Sequence, residues 1–307
     1  MEAVGPAVGT RARDVEAMDR LSVLCFAGTY GLALASDLSR FAVRSAARWY
    51  LTVGLTALGW IVQAAYLGNL AWSSGRIPVT TLFESLLALS WILAAIDLYL
   101  MVRSPRPVAV GMFVLPMVLA LVVMAGVSTA PQQADWGAWG GVTAFWGSVH
   151  GVFLVAGAVS TCVAFLAGLM HLVQSHRLKQ KRPSPFEFAL PSLEQSERLN
   201  RGAITLAFPL LTFGLLIGVV LGLASPSPNA MRLSWADPKV LSALAMWLVF
   251  AVLLHARYRP EMRGRRVMWL TAVAFGFLVF SWVGVEALRL PTAHHGVPRA
   301  SASGRGS

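Results

Sequence analysis

The sequence predicts an all-α, polytopic membrane protein of about eight transmembrane helices with both termini outside. Three observations carry that prediction. Only 13% of the 307 residues are charged and 56% are hydrophobic, against about 25% charged and 45–50% apolar in a soluble domain. The apolar residues come in runs of about 20, the length that a bilayer's hydrocarbon core demands. A backbone in lipid finds no water to bond, so each run must satisfy its own amides as a helix.

Taken in order, the runs place helices over residues 21–35, 49–70, 81–102, 108–127, 145–173, 203–224, 239–255 and 267–288. The first is short and stops at Asp37. Pro209 and the many glycines do not argue against helix, because neighbouring helices re-satisfy the backbone in a membrane. Residues 21–288 then form one transmembrane domain between an external N-terminal tail, 1–20, and an external C-terminal tail, 289–307. The Gly/Ser-rich stretch 300–307 has too few apolar side chains to pack and is expected to be disordered. The first 20 residues contain Glu2, Asp14 and Glu16 and no apolar stretch, so no cleaved signal peptide is expected.

The net charge of +11 suggests a nucleic-acid partner until the basic residues are placed. The loops after helices 1, 3, 5 and 7 hold 3, 2, 6 and 5 Lys or Arg. The two tails and the other three loops hold only 9 of the 25. Basic residues in short loops stay cytoplasmic, which puts both termini outside, 176–201 and 256–266 inside, and 128–144 and 225–238 on the external face. The charge is a topology signal. Cys25 and Cys162 both fall in apolar runs and form no CxxC or CxxCH, which excludes a thiol–disulfide relay and covalent haem attachment to this chain.

Chemistry falls first to histidine. His150 lies near the outer end of helix 5, and His294 and His295 follow helix 8 on the same side. His255 closes helix 7 at the inner side. Imidazole is the usual axial ligand of haem iron, and two on one face can hold an iron between them. The plainer alternative leaves each histidine at headgroup level. His171 and His176 flank a basic stretch ending at Arg182 and read as interfacial residues beside anionic lipid. Eleven tryptophans point to membrane boundaries or to flat ligands. Trp136, Trp139 and Trp146 fit an aromatic belt, whereas Trp235, two residues before Asp237, is the better stacking platform. Among polar residues within the spans, Gln63, Glu84 and Glu286 stand out, and an intramembrane carboxylate points to function. For Glu84, helix capping is the competing explanation.

The segment Gly75-Arg-Ile-Pro-Val-Thr-Thr-Leu-Phe-Glu-Ser-Leu-Leu-Ala-Leu-Ser-Trp91 resembles the Pro-x-(Ser/Thr)-Asn-x-Tyr-Glu-Ser-x-x-x-x-Ser-Trp stretch of the CcsA/HemX-type cytochrome c assembly proteins. Leu190-Pro-Ser-Leu-Glu194, Phe208-Pro-Leu-Leu-Thr-Phe-Gly214, Asp237-Pro-Lys239, Leu254-His-Ala-Arg257, Arg263-Gly-Arg-Arg266 and Gly284-Val285 follow in that family's order. No single piece is specific, but the ordered set is, and it runs from Leu21 to His295.

The resemblance implies haem handling in cytochrome c maturation, in the membrane of a bacterial cell, with a CcsB-type partner and apocytochrome c as client. It implies haem b as the cofactor bound or moved. His150 and His294 match the family's outer pair of iron ligands, with His295 an alternative to His294, and His255 matches the inner histidine associated with haem uptake. Trp235, Asp237 and Lys239 match the Trp-rich loop between the outer pair, where Arg232 and Lys239 could neutralise haem propionates. That loop usually reads Trp-Gly-x-x-Trp-x-Trp-Asp-Pro-Lys-Glu. Here Met231-Arg-Leu-Ser-Trp-Ala-Asp-Pro-Lys-Val240 keeps Asp-Pro-Lys and loses most tryptophans. Glu286 stands where asparagine is expected. Two further functions stay open: a HemX-like regulator of haem biosynthesis without chemistry, and a transporter. The resemblance allows, without requiring, a subunit of a cytochrome c haem lyase.

Overall fold

A computed structural model of the chain describes residues 7–41, 46–103, 110–128, 140–181, 190–224, 238–258 and 264–284. It contains eight α-helices: α1 Ala7–Leu38, α2 Ala46–Ser74, α3 Leu82–Arg103, α4 Gly111–Val127, α5 Gly140–Lys179, α6 Leu193–Ala224, α7 Pro238–Tyr258 and α8 Arg265–Val279. No strand occurs among the described residues. Six helices are long and apolar enough to cross a bilayer, and the shorter α4 and α7 carry apolar stretches as well. The chain is therefore a multi-pass, all-α membrane protein.

Boundaries moved most where a helix outruns the hydrocarbon layer. Counting apolar residues finds the buried length, whereas backbone bonding continues into polar sequence. Thus α1 begins at Ala7 and α6 at Leu193, each well before its apolar run. α5 has 40 residues and is about 60 Å long at 1.5 Å per residue, twice the hydrocarbon thickness. α8 ends earlier than its apolar run. After Val279 the chain widens into a single π-helical turn, Phe280–Gly284.

The helices pack as two groups of four. α1, α2, α3 and α4 contact one another, as do α5, α6, α7 and α8, and α3 and α4 touch α5 where the groups meet. Polar side chains tie the groups internally. Gln63 on α2 is fully buried; its Oε1 accepts from Tyr30 Oη at 2.8 Å. Its Nε2 donates to the Leu87 carbonyl at 3.1 Å and to Ser90 Oγ at 2.8 Å. One amide thereby joins α1, α2 and α3, so Gln63 is interhelical glue of the kind membrane bundles use. Asn200 does the same in the second group, donating to the Ala164 carbonyl at 2.7 Å and to Thr271 Oγ1 at 3.4 Å. Trp247 Nε1 on α7 donates to Thr212 Oγ1 on α6 at 2.9 Å.

Candidate functional site

The site begins with how α3 starts. Gly75 ends α2 in the left-handed region, φ +63°, where a helix stop favours glycine. The chain then turns through Arg76–Thr81 into α3. Thr81 Oγ1 accepts from the Glu84 amide at 3.2 Å, while Glu84 Oε2 accepts from the Thr81 amide at 3.3 Å. That reciprocal pair is a capping box. Glu84 also takes both guanidinium nitrogens of Arg76, at 2.9 and 3.0 Å, and the amide of Thr80 at 3.0 Å. Both oxygens of this intramembrane carboxylate are therefore engaged by the turn. Capping, the competing explanation, accounts for Glu84.

The turn so fixed lies against α5. A Cβ added to Gly151 would meet the Val79 carbonyl oxygen at 2.5 Å, so only glycine lets the backbone of the turn approach that closely. Val79, Thr80, Thr81 and Leu82 then line one wall of a cleft of about 160 Å³, with Ser85 of α3 beside them. Gly147, His150, Gly151 and Leu154 of α5 form the opposite wall, and Leu221 of α6 and Trp282 of the π-helical turn close it. Val79, Ala88 and Val155 make a small apolar cluster at this junction, and Trp282 packs on it.

His150 is held for a purpose. Its Nδ1 lies 2.7 Å from the Gly214 carbonyl oxygen on α6. A carbonyl only accepts, so Nδ1 carries the proton and Nε2 keeps a lone pair. Tying one ring nitrogen to a carbonyl orients an imidazole and makes the other a better metal ligand. The ring rests edge-on upon Gly218, where an added Cβ would sit 2.7 Å from His150 Cε1 and 3.1 Å from Nδ1. An oriented imidazole with a free nitrogen, in a cleft walled by glycine and apolar groups, fits one axial ligand of a haem iron.

The other sequence-predicted residues divide clearly. His255 is exposed near the end of α7 and does not line the cleft. Lys239 stands in the first turn of α7, after Pro238. Trp235, Asp237, His294, His295 and Glu286 lie outside the described residues, as do Trp136, Trp139 and Arg232. The segments bearing Trp235 and His294 leave four residues after cleft-lining Leu221 and three after Trp282. Trp146 is 46% exposed and one turn from His150, as a belt residue would be. Trp91 stacks on Trp60, centroids 5.4 Å apart, away from the cleft. His171 is buried, with Nδ1 3.3 Å from the Leu193 carbonyl oxygen; His176 is exposed and bonds Gln180. The sequence reading missed Trp282 and the glycine seat. The signal for Trp282 was its place two residues before the Gly284-Val285 pair.

Comparison with known proteins bears on this arrangement. A model of the cytochrome c assembly protein family matches residues 79–291. The chain belongs to that family. The match opens at Val79, the residue that packs on Gly151, and spans all of the cleft-lining residues. A cytochrome c biogenesis protein CcsA of Guillardia theta is 29% identical over 78% of this chain and 83% of that protein. Another from a Synechococcus strain is 28% identical over 89% and 95%. Protein HemX of Brevibacillus brevis is 27% identical over 76% and 84%. No solved structure matches the chain significantly.

Proposed function

We propose that this protein binds haem for cytochrome c assembly, with His150 as an axial ligand on the external face. The observation that carries the proposal is the His150 imidazole, fixed by the Gly214 carbonyl and lining the α3–α5–α6 cleft. Membership of the cytochrome c assembly family and relatives named for cytochrome c biogenesis support it.

In this reading the chain's own work is positional. Gly214 keeps the proton on Nδ1, Gly218 gives the ring room, and Trp282 and Leu154 exclude water from the ligand face. His294, or His295 beside it, would hold the iron together with His150, and Trp235 with Asp237 and Lys239 would hold the ring and its propionates. His255 would meet haem at the inner side. When bound, haem b would supply its iron and the side groups through which a cytochrome is attached. A CcsB-type partner and an apocytochrome c complete the assembly, in the cytoplasmic membrane of a bacterium. Holding the reactants together can itself accelerate attachment.

The test is the absorption spectrum and haem content of the purified protein. A bis-histidine spectrum in the wild type that disappears in His150→Ala, with the helical fold intact, is the expected result. A folded wild type without haem, together with normal c-type cytochromes in a deletion strain, refutes the proposal. The thin Trp loop at 231–240 and the HemX relative favour a second reading, a membrane regulator of haem synthesis. It predicts altered haem precursor levels in the deletion strain and unchanged cytochrome maturation.

A further inference from the structure

A second buried polar group lies at the opposite end of the bundle, near the start of α4 and far along α3 from the cleft. Asp97 on α3 has no exposed surface, and among the described residues neither of its carboxylate oxygens meets a hydrogen-bond donor. Asp37 at the end of α1 is 3% exposed. Its Oδ1 and main-chain oxygen are engaged by Arg40, and Arg48 Nη1 reaches the same main-chain oxygen at 3.5 Å. Its Oδ2 has no donor. α4 contributes Gly111 and no titratable side chain. A Cβ built on Gly111 would lie 3.3 Å from Asp37 Oδ2 and 3.6 Å from Asp97 Oδ2. Two oxygens from different helices thus flank the bare face of one glycine, and the flexible methyl of Met101 lies against the same face.

Among the described residues, three carboxylate oxygens here are acceptors without donors. Ionised carboxylates only accept, so the two groups cannot satisfy one another. Arg40 forms its ion pair with Asp37 and its charge also acts on Asp97, so one guanidinium is shared between two carboxylates. Burying a charge without a partner costs several kcal/mol, and closer packing does not relieve it. A positive ion between the carboxyls does. Nothing in the haem reading uses these residues.

We propose that Asp97 and Asp37 bind one small monovalent cation, a proton or a sodium ion, between their facing oxygens. The two share a chemistry, a single hard positive charge for which carboxylate oxygens are the natural ligand. Gly111 lets both carboxyls approach, and the Met101 methyl beside it, the end of a flexible side chain, turns aside for an ion as large as sodium. Asp37 keeps Arg40 as its counter-ion, which leaves Asp97 as the group that needs the cation.

Infrared difference spectroscopy of the full-length protein in nanodiscs distinguishes the sources. In sodium-free choline buffer near neutral pH, a proton gives the carbonyl stretch of a protonated carboxyl group, shifted in D2O. Replacing choline with sodium at constant ionic strength leaves that band unchanged if the ligand is the proton alone. If sodium binds, the band bleaches and the melting temperature rises, because a ligand of the folded state stabilises it. Asp97→Asn, nearly isosteric and uncharged, removes band and sodium response alike. Should that variant fail to fold, Gly111→Ala carries the comparison, since its methyl meets both oxygens and shifts the signal while both carboxyls remain. His150→Ala leaves it untouched. A folded wild type with neither band nor sodium response overturns the proposal, as does a signal that survives Asp97→Asn or Gly111→Ala unchanged. Either of those results leaves ordered water as the only occupant.

Discussion

At the scale of single residues, the histidine matters through its surroundings. His150 could serve as a headgroup-level residue on almost any membrane helix; the Gly214 carbonyl at 2.7 Å and the bare face of Gly218 fix its ring in the orientation that the proposed ligand role requires. Gly218→Ala tests this directly. Its Cβ at 2.7 Å from the ring displaces the imidazole without removing it, and disturbing the groups that orient a metal ligand weakens binding about 10- to 100-fold. Haem titration of the purified variant checks it; unchanged affinity would mean that the seat is incidental. Gln63 illustrates the opposite case. It stood out as a rare polar residue in a span, yet its amide is consumed by Tyr30, Leu87 and Ser90. Gln63→Leu is therefore expected to lower stability by about 1–2 kcal/mol, read as an earlier thermal midpoint, and to leave the haem spectrum of the folded fraction unchanged.

Among the elements, the turn into α3 has the most influence. A capping box, an Arg76–Glu84 ion pair and a Gly151 contact together hold the Arg76–Thr81 turn against α5. Glu84→Ala removes the box, costing about 1 kcal/mol, and strips the half-buried Arg76 of its carboxylate, for a total of about 1–3 kcal/mol. Because Val79–Leu82 is a wall of the cleft, the same change should reduce haem retention at temperatures where the bundle is still folded. Simultaneous melting and haem release across a temperature ramp checks this; haem loss only at global unfolding would detach the turn from the site. The π-helical turn Phe280–Gly284 plays the complementary part. By widening the helix it sets Trp282 on the Val79–Val155 cluster, and such turns recur at functional sites.

For the whole molecule, the open quantity is orientation. Charge counting places the α5–α6 connection inside, and everything said of an external haem site depends on it. The experiment is cysteine labelling. With Cys25 and Cys162 replaced by Ser, a single cysteine at exposed Gln180 should react with an impermeant maleimide only after the cells are opened. Labelling of intact cells would turn the bundle over and put His150 on the inner face. The organisation into two groups of four frames this test, because the cleft is built where they meet: the turn before α3 belongs to one group, and α5, α6 and the π turn to the other.

By itself the sequence determined that the chain is an all-α membrane protein with eight helices, and the ordered motifs determined its family. Both are written in linear features: run length against bilayer thickness, and short patterns in fixed order. It also singled out His150. What it could not show is which side chains meet. Gln63, Glu84 and Asp97 are all polar residues in apolar spans; the chain alone singled out the first two, offered capping as one explanation of Glu84, and passed over Asp97. Only the packing makes the first interhelical glue, the second a cap and the third a carboxylate without a donor. Helix ends eluded it for a related reason, since hydropathy follows burial in lipid while the hydrogen bonds of α1, α5 and α6 run on into polar sequence. The glycine seat was the least legible feature. A glycine's function lies in what its neighbour needs, and Gly218 on α6 serves a ring on α5, one turn along from the Gly214 carbonyl that holds it.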